Sequence, residues 1–291
     1  MSIISDKTEQ SNLRQSGRIL ASCLIHLGRL IKPGMSAGEL NRFSIDFIKK
    51  NGGTTPFLGY GGFPHALCTS INHEVVHGLS NDEKIFKVGD VVGLDLGVDF
   101  KGLITDSARS FLVMENGAAE LSEVYDEYAK PATSKQLFSA NKDTASAETK
   151  MKLLVRTEES LTRAMNILKA GSRVGDIGSA ISSYVNTFGY GNVSALGGHG
   201  VGRAVHEPPY ISHIGKKGIG ALLVENKVIA IEPMITLGGG KIKFVADKKY
   251  GWDEVQTTDY SLAAHFEDTI LITKKGCEVM TRIQKEDLIP V

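Results

Sequence analysis

Five side chains of the 291-residue chain have types and contexts that could do chemistry together: Asp95, Asp106, His199, Glu232 and Glu267. Asp95 interrupts the apolar run Val91-Val92-Gly93-Leu94-Asp95-Leu96, and Asp106 follows eleven residues on, beyond Asp99-Phe100-Lys101-Gly102. Strands over 91–98 and 102–113 meeting at that turn make an antiparallel hairpin. With the turn centred between Phe100 and Lys101, Asp95 stands directly opposite Asp106, their Cβ atoms about 5 Å apart. Two carboxylates that close on an apolar face repel unless one is protonated or a cation sits between them. A lone aspartate at either place is more simply a solvent-facing or turn-capping residue. The opposed pair brings a metal site level with that reading.

The other three residues come from the second half of the chain. His199 sits in Gly197-Gly198-His199-Gly200-Val201-Gly202, where glycines allow the backbone to pack closely around an imidazole. Glu232 ends the apolar run Val228-Ile229-Ala230-Ile231. Glu267 lies in His265-Phe266-Glu267-Asp268-Thr269-Ile270-Leu271-Ile272, a strand by β-branched content, in which alternation puts His265 on Glu267's face. Two divalent ions would neutralise four ionised carboxylates. One imidazole among so many oxygens favours Mn²⁺, Fe²⁺ or Co²⁺, with Zn²⁺ still open. Two such ions about 3.5–4 Å apart polarise a carbonyl toward hydrolysis.

Residues so far apart in sequence need elements to carry them. Asp6-Lys7-Thr8-Glu9 resembles a capping box, and Leu13, Leu20, Leu24, Leu27 and Ile31 follow at near-helical spacing until Pro33-Gly34. A second helix runs from Ser36 to Lys50 and stops at Asn51-Gly52-Gly53. The stretch from Ile31 to Leu40 has a counterpart from Leu168 to Ile177, offset by 137 residues. The same offset sets Phe47-Ile48 on Tyr184-Val185, and Val91–Asp95 on Val228–Glu232. Helix, helix and strand thus recur in one order, each strand ending on a carboxylate. This implies two similar halves, about 6–114 and 151–291, related by a pseudo-two-fold axis. Between them, 115–150 is rich in Ala, Ser, Lys and Glu and reads as a surface insertion.

Composition bounds the rest. Lys+Arg and Asp+Glu are 33 each, so no charge excess argues for nucleic acid or an anionic membrane as partner. Cys23, Cys68 and Cys277 are odd in number and far apart, which opposes a disulfide framework and fits a reducing compartment. The stretch from Ile19 to Ile31 is broken by His26 and Arg29 and too short to span a bilayer, and 1–10 has no signal-peptide core. A cytoplasmic protein is expected.

The ordered set Asp95, Asp106, Gly-His199-Gly-Val-Gly, His206-Glu-Pro, Ile-Glu232-Pro-Met and Phe-Glu267-Asp-Thr resembles the type I methionine aminopeptidases. Ser70-Ile71-Asn72, Glu74-Val75-Val76-His77-Gly78 and Gly251-Trp252 match as well, and the likeness covers nearly everything outside 115–150. It implies an α+β pita-bread fold, a single catalytic domain of two αβ halves around a dinuclear metal site. It implies that Asp106 and Glu267 bridge the metals, that Asp95 holds one and His199 and Glu232 the other, and that Glu232 takes a proton from the attacking water. His77 and His206 would hydrogen-bond the scissile peptide. Phe57, Tyr60, Phe63, Cys68, His77 and Trp252 would line an apolar pocket for methionine, although plain core packing is an equal reading of any one aromatic. Phe57, Val205 and the insertion depart from familiar bacterial members. The implied substrates are nascent polypeptide N-termini with a small second residue. The ribosome is a candidate contact, no nucleic-acid or membrane partner is expected, and the expected state is a monomer.

An Xaa-Pro peptidase of the same fold is the alternative enzyme, and a non-catalytic binding module the alternative outside enzymes. Such a module typically loses ligands that are all present here. His73-Glu74-Val75-Val76-His77 fits the H-E-x-x-H pattern of zinc proteases. That pattern needs a helix, whereas paired valines followed by Gly78 read as strand and loop. His26, His65 and His213 have no partner pattern and read as surface or packing residues.

Overall fold

The computed structural model describes residues 2–119, 121–130 and 144–291. In chain order its helices and strands begin with α1 (Lys7–Leu30), α2 (Ala37–Lys50), β1 (Leu67–Ile71), β2 (Glu74–Val76), β3 (Val91–Phe100) and β4 (Leu103–Met114). Then come β5 (Gly117–Ala118), α3 (Tyr125–Tyr128), α4 (Ala147–Asn166), α5 (Val174–Val185), β6 (Gly191–Asn192), β7 (Gly198–Gly200) and β8 (Glu207–Ile211). The chain closes with β9 (Val228–Ile231), β10 (Met234–Thr236), β11 (Ile242–Asp247), β12 (Trp252–Thr257), β13 (Ala263–His265), β14 (Asp268–Ile272) and β15 (Cys277–Val279). No helix among the described residues is long and apolar enough to cross a membrane.

Helix starts obey local chemistry. The Asp6 side chain accepts from the Thr8 and Glu9 amides, satisfying donors that the first turn of α1 leaves free. The 137-residue offset recurs in detail. The Ser36 amide donates to Glu39 at 2.8 Å, and the Arg173 amide to Asp176 at 2.7 Å, 137 residues on in both members. Isolated bridges join Ser36 to Ile85 and Arg173 to Leu222 at the same offset. One core packs α1 and α2 through Leu20, Leu24, Leu27, Leu40 and Phe47 against Val92, Leu94 and Leu96 of β3. A second packs α4 and α5 through Leu153, Leu161, Ile177 and Ile181 against Ile229, Ile231 and Ile270.

The strands form sheets ordered β1-β3-β4-β5, β15-β14-β9-β7-β8, β13-β10-β6 and β11-β12-β2. The last joins a strand of the first half, β2, to two of the second. Gly198 and Gly200 are required by close approach, since a Cβ would lie 2.3 Å from the Ala230 carbonyl oxygen and 2.4 Å from that of Pro208.

Two expectations need correction. In the β3–β4 hairpin Asp95 pairs with Ala108 and Asp106 with Gly97, so the two aspartates are not directly opposed. The turn is Lys101-Gly102, with φ of 54° and 80° at the two residues. Two left-handed residues make the tight turn that matches strand twist, and its centre sits one residue later than a turn at Phe100-Lys101. The aspartates become diagonal neighbours on one face. The second correction concerns 265–272, which is not one strand. β13 pairs with β10 and β14 with β9, and Phe266-Glu267 lies at the passage between two sheets. Of the span 115–150, the described part holds β5, α3 and, from Ala147, the start of α4. Residues 131–143 lie outside the described residues.

Candidate active site

Each of the five residues is set by a local backbone reason. Asp95 and Asp106 sit inside long strands and reach one face by alternation. Glu232 immediately follows β9, and Pro233, which can donate no ladder hydrogen bond, comes next. Glu267 is pinned against β4: its amide donates to the Ala108 carbonyl at 2.9 Å, and the Ser107 hydroxyl donates to its own carbonyl at 2.7 Å. Thr269 Oγ1 accepts from the Asp106 amide and donates to the Asp106 carbonyl, both at 2.8 Å. These bonds hold Asp106 and Glu267 side by side.

Their side chains converge. Ligand-capable atoms of Asp106, His199 and Glu267, all buried, lie within 4.8 Å of one another. His199 Nε2 is 3.4 Å from Glu232 Oε1, 3.9 Å from Asp106 Oδ2 and 4.0 Å from Glu267 Oε1. The Asp95 and Asp106 carboxyls are close enough to share a hydrogen bond. Asp95 Oδ1, Asp106 Oδ1 and Glu267 Oε1 are buried without a hydrogen-bond partner among the described residues. Burial raises the pKa of Asp95 to about 7. Burial, and then repulsion from neighbouring carboxylates, raises Asp106, Glu232 and Glu267 well above the ordinary range. Burial, reinforced by His206, lowers His199 to about 4, so its imidazole is neutral. Its Nδ1 lies 2.9 Å from the Gly200 carbonyl oxygen. A proton on Nδ1 makes that contact a hydrogen bond and leaves the Nε2 lone pair facing the carboxylates. Crowded acids with unmatched oxygens beside a neutral imidazole fit divalent cations, which would return all four acids to their charged form.

These residues floor a cavity of about 230 Å³ whose walls include Phe57, Tyr60, Phe63, Cys68, Val76, His77, Val205, His206 and Trp252. All residues expected at the site line this one cavity. Phe57 is seated against Gly97, where a Cβ would come within 2.7 Å of its ring. The His206 ring lies 4.3 Å from that of His199, edge to face. His77 has φ of 60°, and burial lowers its pKa to about 4. His73 is not in the cavity but packs edge-on against Tyr260, and Glu74 stands in β2, so the H-E-x-x-H residues form strand and turn.

Known proteins resemble this arrangement and the chain that builds it. Residues 11–130 and 124–274 match metallopeptidase family M24. The methionine aminopeptidase of Clostridium acetobutylicum is 36% identical over 281 residues, which are 97% of this chain and 99% of the relative. That of Mycoplasma capricolum is 38% identical over 286 residues, 98% and 100% of the two chains. The crystal structure of methionine aminopeptidase from Thermotoga maritima superposes with a TM-score of 0.81 at 33% identity, covering 97% of this chain and all of that one (100%). The chain belongs to the methionine aminopeptidases of metallopeptidase family M24. It is a hydrolase with the pita-bread fold, and its family implies divalent metal ions. Prolidase from Pyrococcus furiosus shares the fold alone, with a TM-score of 0.66 at 22% identity over 97% of this chain and 66% of that one.

Sequence reasoning gave some members too small a part. Tyr60 was expected as a pocket wall; its hydroxyl is also 2.9 Å from His206 Nδ1. His265 was expected on Glu267's face; across the strand break its Nε2 is instead 3.7 Å from Glu232 Oε2. His213, expected at the surface or in packing, is fully buried, and burial lowers its pKa to about 3. Arg109 escaped notice entirely, although Nη1 donates to the Glu267 carbonyl at 2.5 Å and Nη2 to Asp268 at 2.6 Å. An arginine beside Ser107-Ala108 in an apolar strand was the available signal.

Proposed function

We propose that this chain removes the initiator methionine from nascent polypeptides, working with two divalent ions held by Asp95, Asp106, His199, Glu232 and Glu267. Asp106 and Glu267 face both ions, Asp95 completes one site, and His199 with Glu232 completes the other. Bound there, Mn²⁺, Fe²⁺ or Co²⁺ would polarise the scissile carbonyl and give the substrate's free α-amine a place to bind, which restricts cleavage to the first residue. Glu232 accepts the proton of the attacking water. His77 and His206, on opposite walls, hydrogen-bond the scissile peptide as charge develops on its oxygen. Phe57, Tyr60, Phe63, Cys68 and Trp252 receive the methionine side chain. A space of about 230 Å³, below the usual ~300–1,000 Å³ of small-molecule pockets, suits one side chain. The small second residue, the cytoplasmic setting, the monomeric state and the ribosome as a contact belong to the same reading, through the family likeness.

The observation that carries the proposal is the cluster of buried acids whose oxygens find no donor beside a neutral imidazole. The test is release of Met from Met-Ala-Ser by purified protein loaded anaerobically with Mn²⁺ or Fe²⁺, with metal stoichiometry measured in parallel. Release from Met-Ala-Ser and none from an Xaa-Pro peptide is the expected result. No release by metal-loaded protein would overturn it.

A further inference from the structure

The H-E-x-x-H glutamate, unused by the chemistry above, opens onto a built network. Lys84 Nζ donates to Glu74 Oε2 at 2.7 Å, to Glu254 Oε1 at 3.0 Å and to the Thr69 carbonyl at 3.0 Å, which uses all three ammonium protons. The three side chains are 13–14% exposed. Glu74 and Lys84 come from the first half and Glu254 from β12 in the second. Each carboxylate also accepts a backbone amide: Glu74 that of Ile71 and Glu254 that of Leu79, both at 2.8 Å.

Those amides flank the turn that carries His77. The turn is conformationally expensive, because Asn72 and His77 have φ of 61° and 60°. Non-glycine residues stay in that region only where neighbours over-determine it. Three anchors do so here. Trp252 Nε1, from β12, donates to the His77 carbonyl at 2.9 Å. Gly78 is locked to β1, its carbonyl accepting from the Thr69 amide at 2.8 Å and its amide donating to Ser70 Oγ at 3.2 Å. Leu79 is held by Glu254. The register between β2 and β12 also slips by one residue, Val76 pairing with Val255 and Glu74 with Gln256. Such a bulge re-aims the strand that enters the turn.

We infer that Glu254, fixed by Lys84 and Glu74, is a positioning residue that together with Trp252 holds His77 aimed into the cavity. This rests on the reading of His77 as a group that contacts the scissile peptide. Glu254 touches no reacting atom and acts only through the turn.

A double-mutant cycle on metal-loaded protein with Met-Ala-Ser tests it. Glu254→Ala lowers kcat by about 10- to 100-fold, the scale on which small misplacements of a reacting group act, with KM and bound metal nearly unchanged. Glu254→Gln, whose Oε1 still accepts from Leu79, keeps kcat within about threefold of the parent. Over His77→Ala, adding Glu254→Ala costs no more than about twofold, because the residue it positions is gone. Equal losses in both backgrounds, or no loss in either, would overturn the inference while leaving the role of His77 intact. A His77→Ala protein with full kcat would instead overturn the reading of His77 itself. Should Glu254→Ala fail to fold, Trp252→Phe reads the same turn through its other anchor: a loss of kcat in the parent and none over His77→Ala is expected, and equal losses in both would refute it.

Discussion

Glu267 and Asp268 are consecutive and both buried, yet they face opposite electrostatic worlds. Asp268 receives Arg109 Nη2 at 2.6 Å, Arg282 Nε at 2.7 Å and the Thr281 hydroxyl at 2.8 Å. Burial works against its charge, but Arg109 and Arg282 outweigh it and hold its pKa below the ordinary value. Glu267 has no such cation. Burial and the neighbouring Asp106, Glu232 and Asp95 raise its pKa well above the ordinary value. One peptide bond separates an acid whose charge the protein itself neutralises from an acid that waits for a charge from outside. Burial alone is therefore a poor guide to a metal site; an acid whose acceptors find no donor is a better one.

That contrast can be broken most sharply at Glu232. Glu232→Gln removes a ligand charge and the proton acceptor together, so turnover of Met-Ala-Ser by metal-loaded protein should fall about 10²–10⁴-fold. Retention of more than about a tenth of activity would deny it the role of base.

Opposite pKa shifts also mean opposite pH dependences. The metal-site acids have raised folded-state pKa values, so in metal-free protein their contribution to stability is fully present below the ordinary carboxylate pKa of about 4. It is lost as pH rises through the folded value, about 7 for Asp95. Asp268 behaves in the reverse sense, its contribution present above the ordinary pKa and lost as pH falls through its lowered value. Thermal unfolding of chelated protein should show stability dropping from about pH 4.5 to 8. Saturating Mn²⁺ should remove that slope and stabilise the protein by about 4 kcal/mol at a thousandfold excess over Kd. Identical slopes with and without metal would mean that the acids do not share a cation.

Asp268→Asn removes the anion between Arg109 and Arg282 and should cost about 3 kcal/mol in urea denaturation. The metal bound per folded molecule should change little, since Asp268 is not among the unmatched acids. Loss of metal without loss of stability would erase the distinction between the two neighbours. The smallest effect is expected from Tyr60→Phe. Losing one hydrogen bond to His206 should lower kcat by roughly 3- to 10-fold, and an unchanged kcat would leave Tyr60 as a wall alone.

Much of this was legible from residues alone where the cause is local. The Asp6 cap, the Ser36–Glu39 pair and the recurrence of helix, helix and strand at 137 residues depend on short-range hydrogen bonding and apolar periodicity. The site was legible as a set of types in order. The hairpin register was not, because it depends on whether two residues or one enter the left-handed region at Lys101-Gly102. Nor was the break at Phe266-Glu267, since the sequence there is β-branched on both sides and only the pairing partners, β10 and β9, divide it. Lys84, Glu74 and Glu254 offered no spacing signal, because β2 and β12 come from different halves.

What the sequence by itself determined is the inventory: four acids, one imidazole, the glycines beside it, and two copies of a local scaffold to carry them. Only the tertiary structure decided which acids go without donors, which histidine is held at a strained φ, and which arginines are already taken. The physical reason is range. Capping and amphipathic patterning act over three or four residues of chain, whereas desolvation and ion pairing depend on distance in space, and the strands that set those distances lie far apart along the chain.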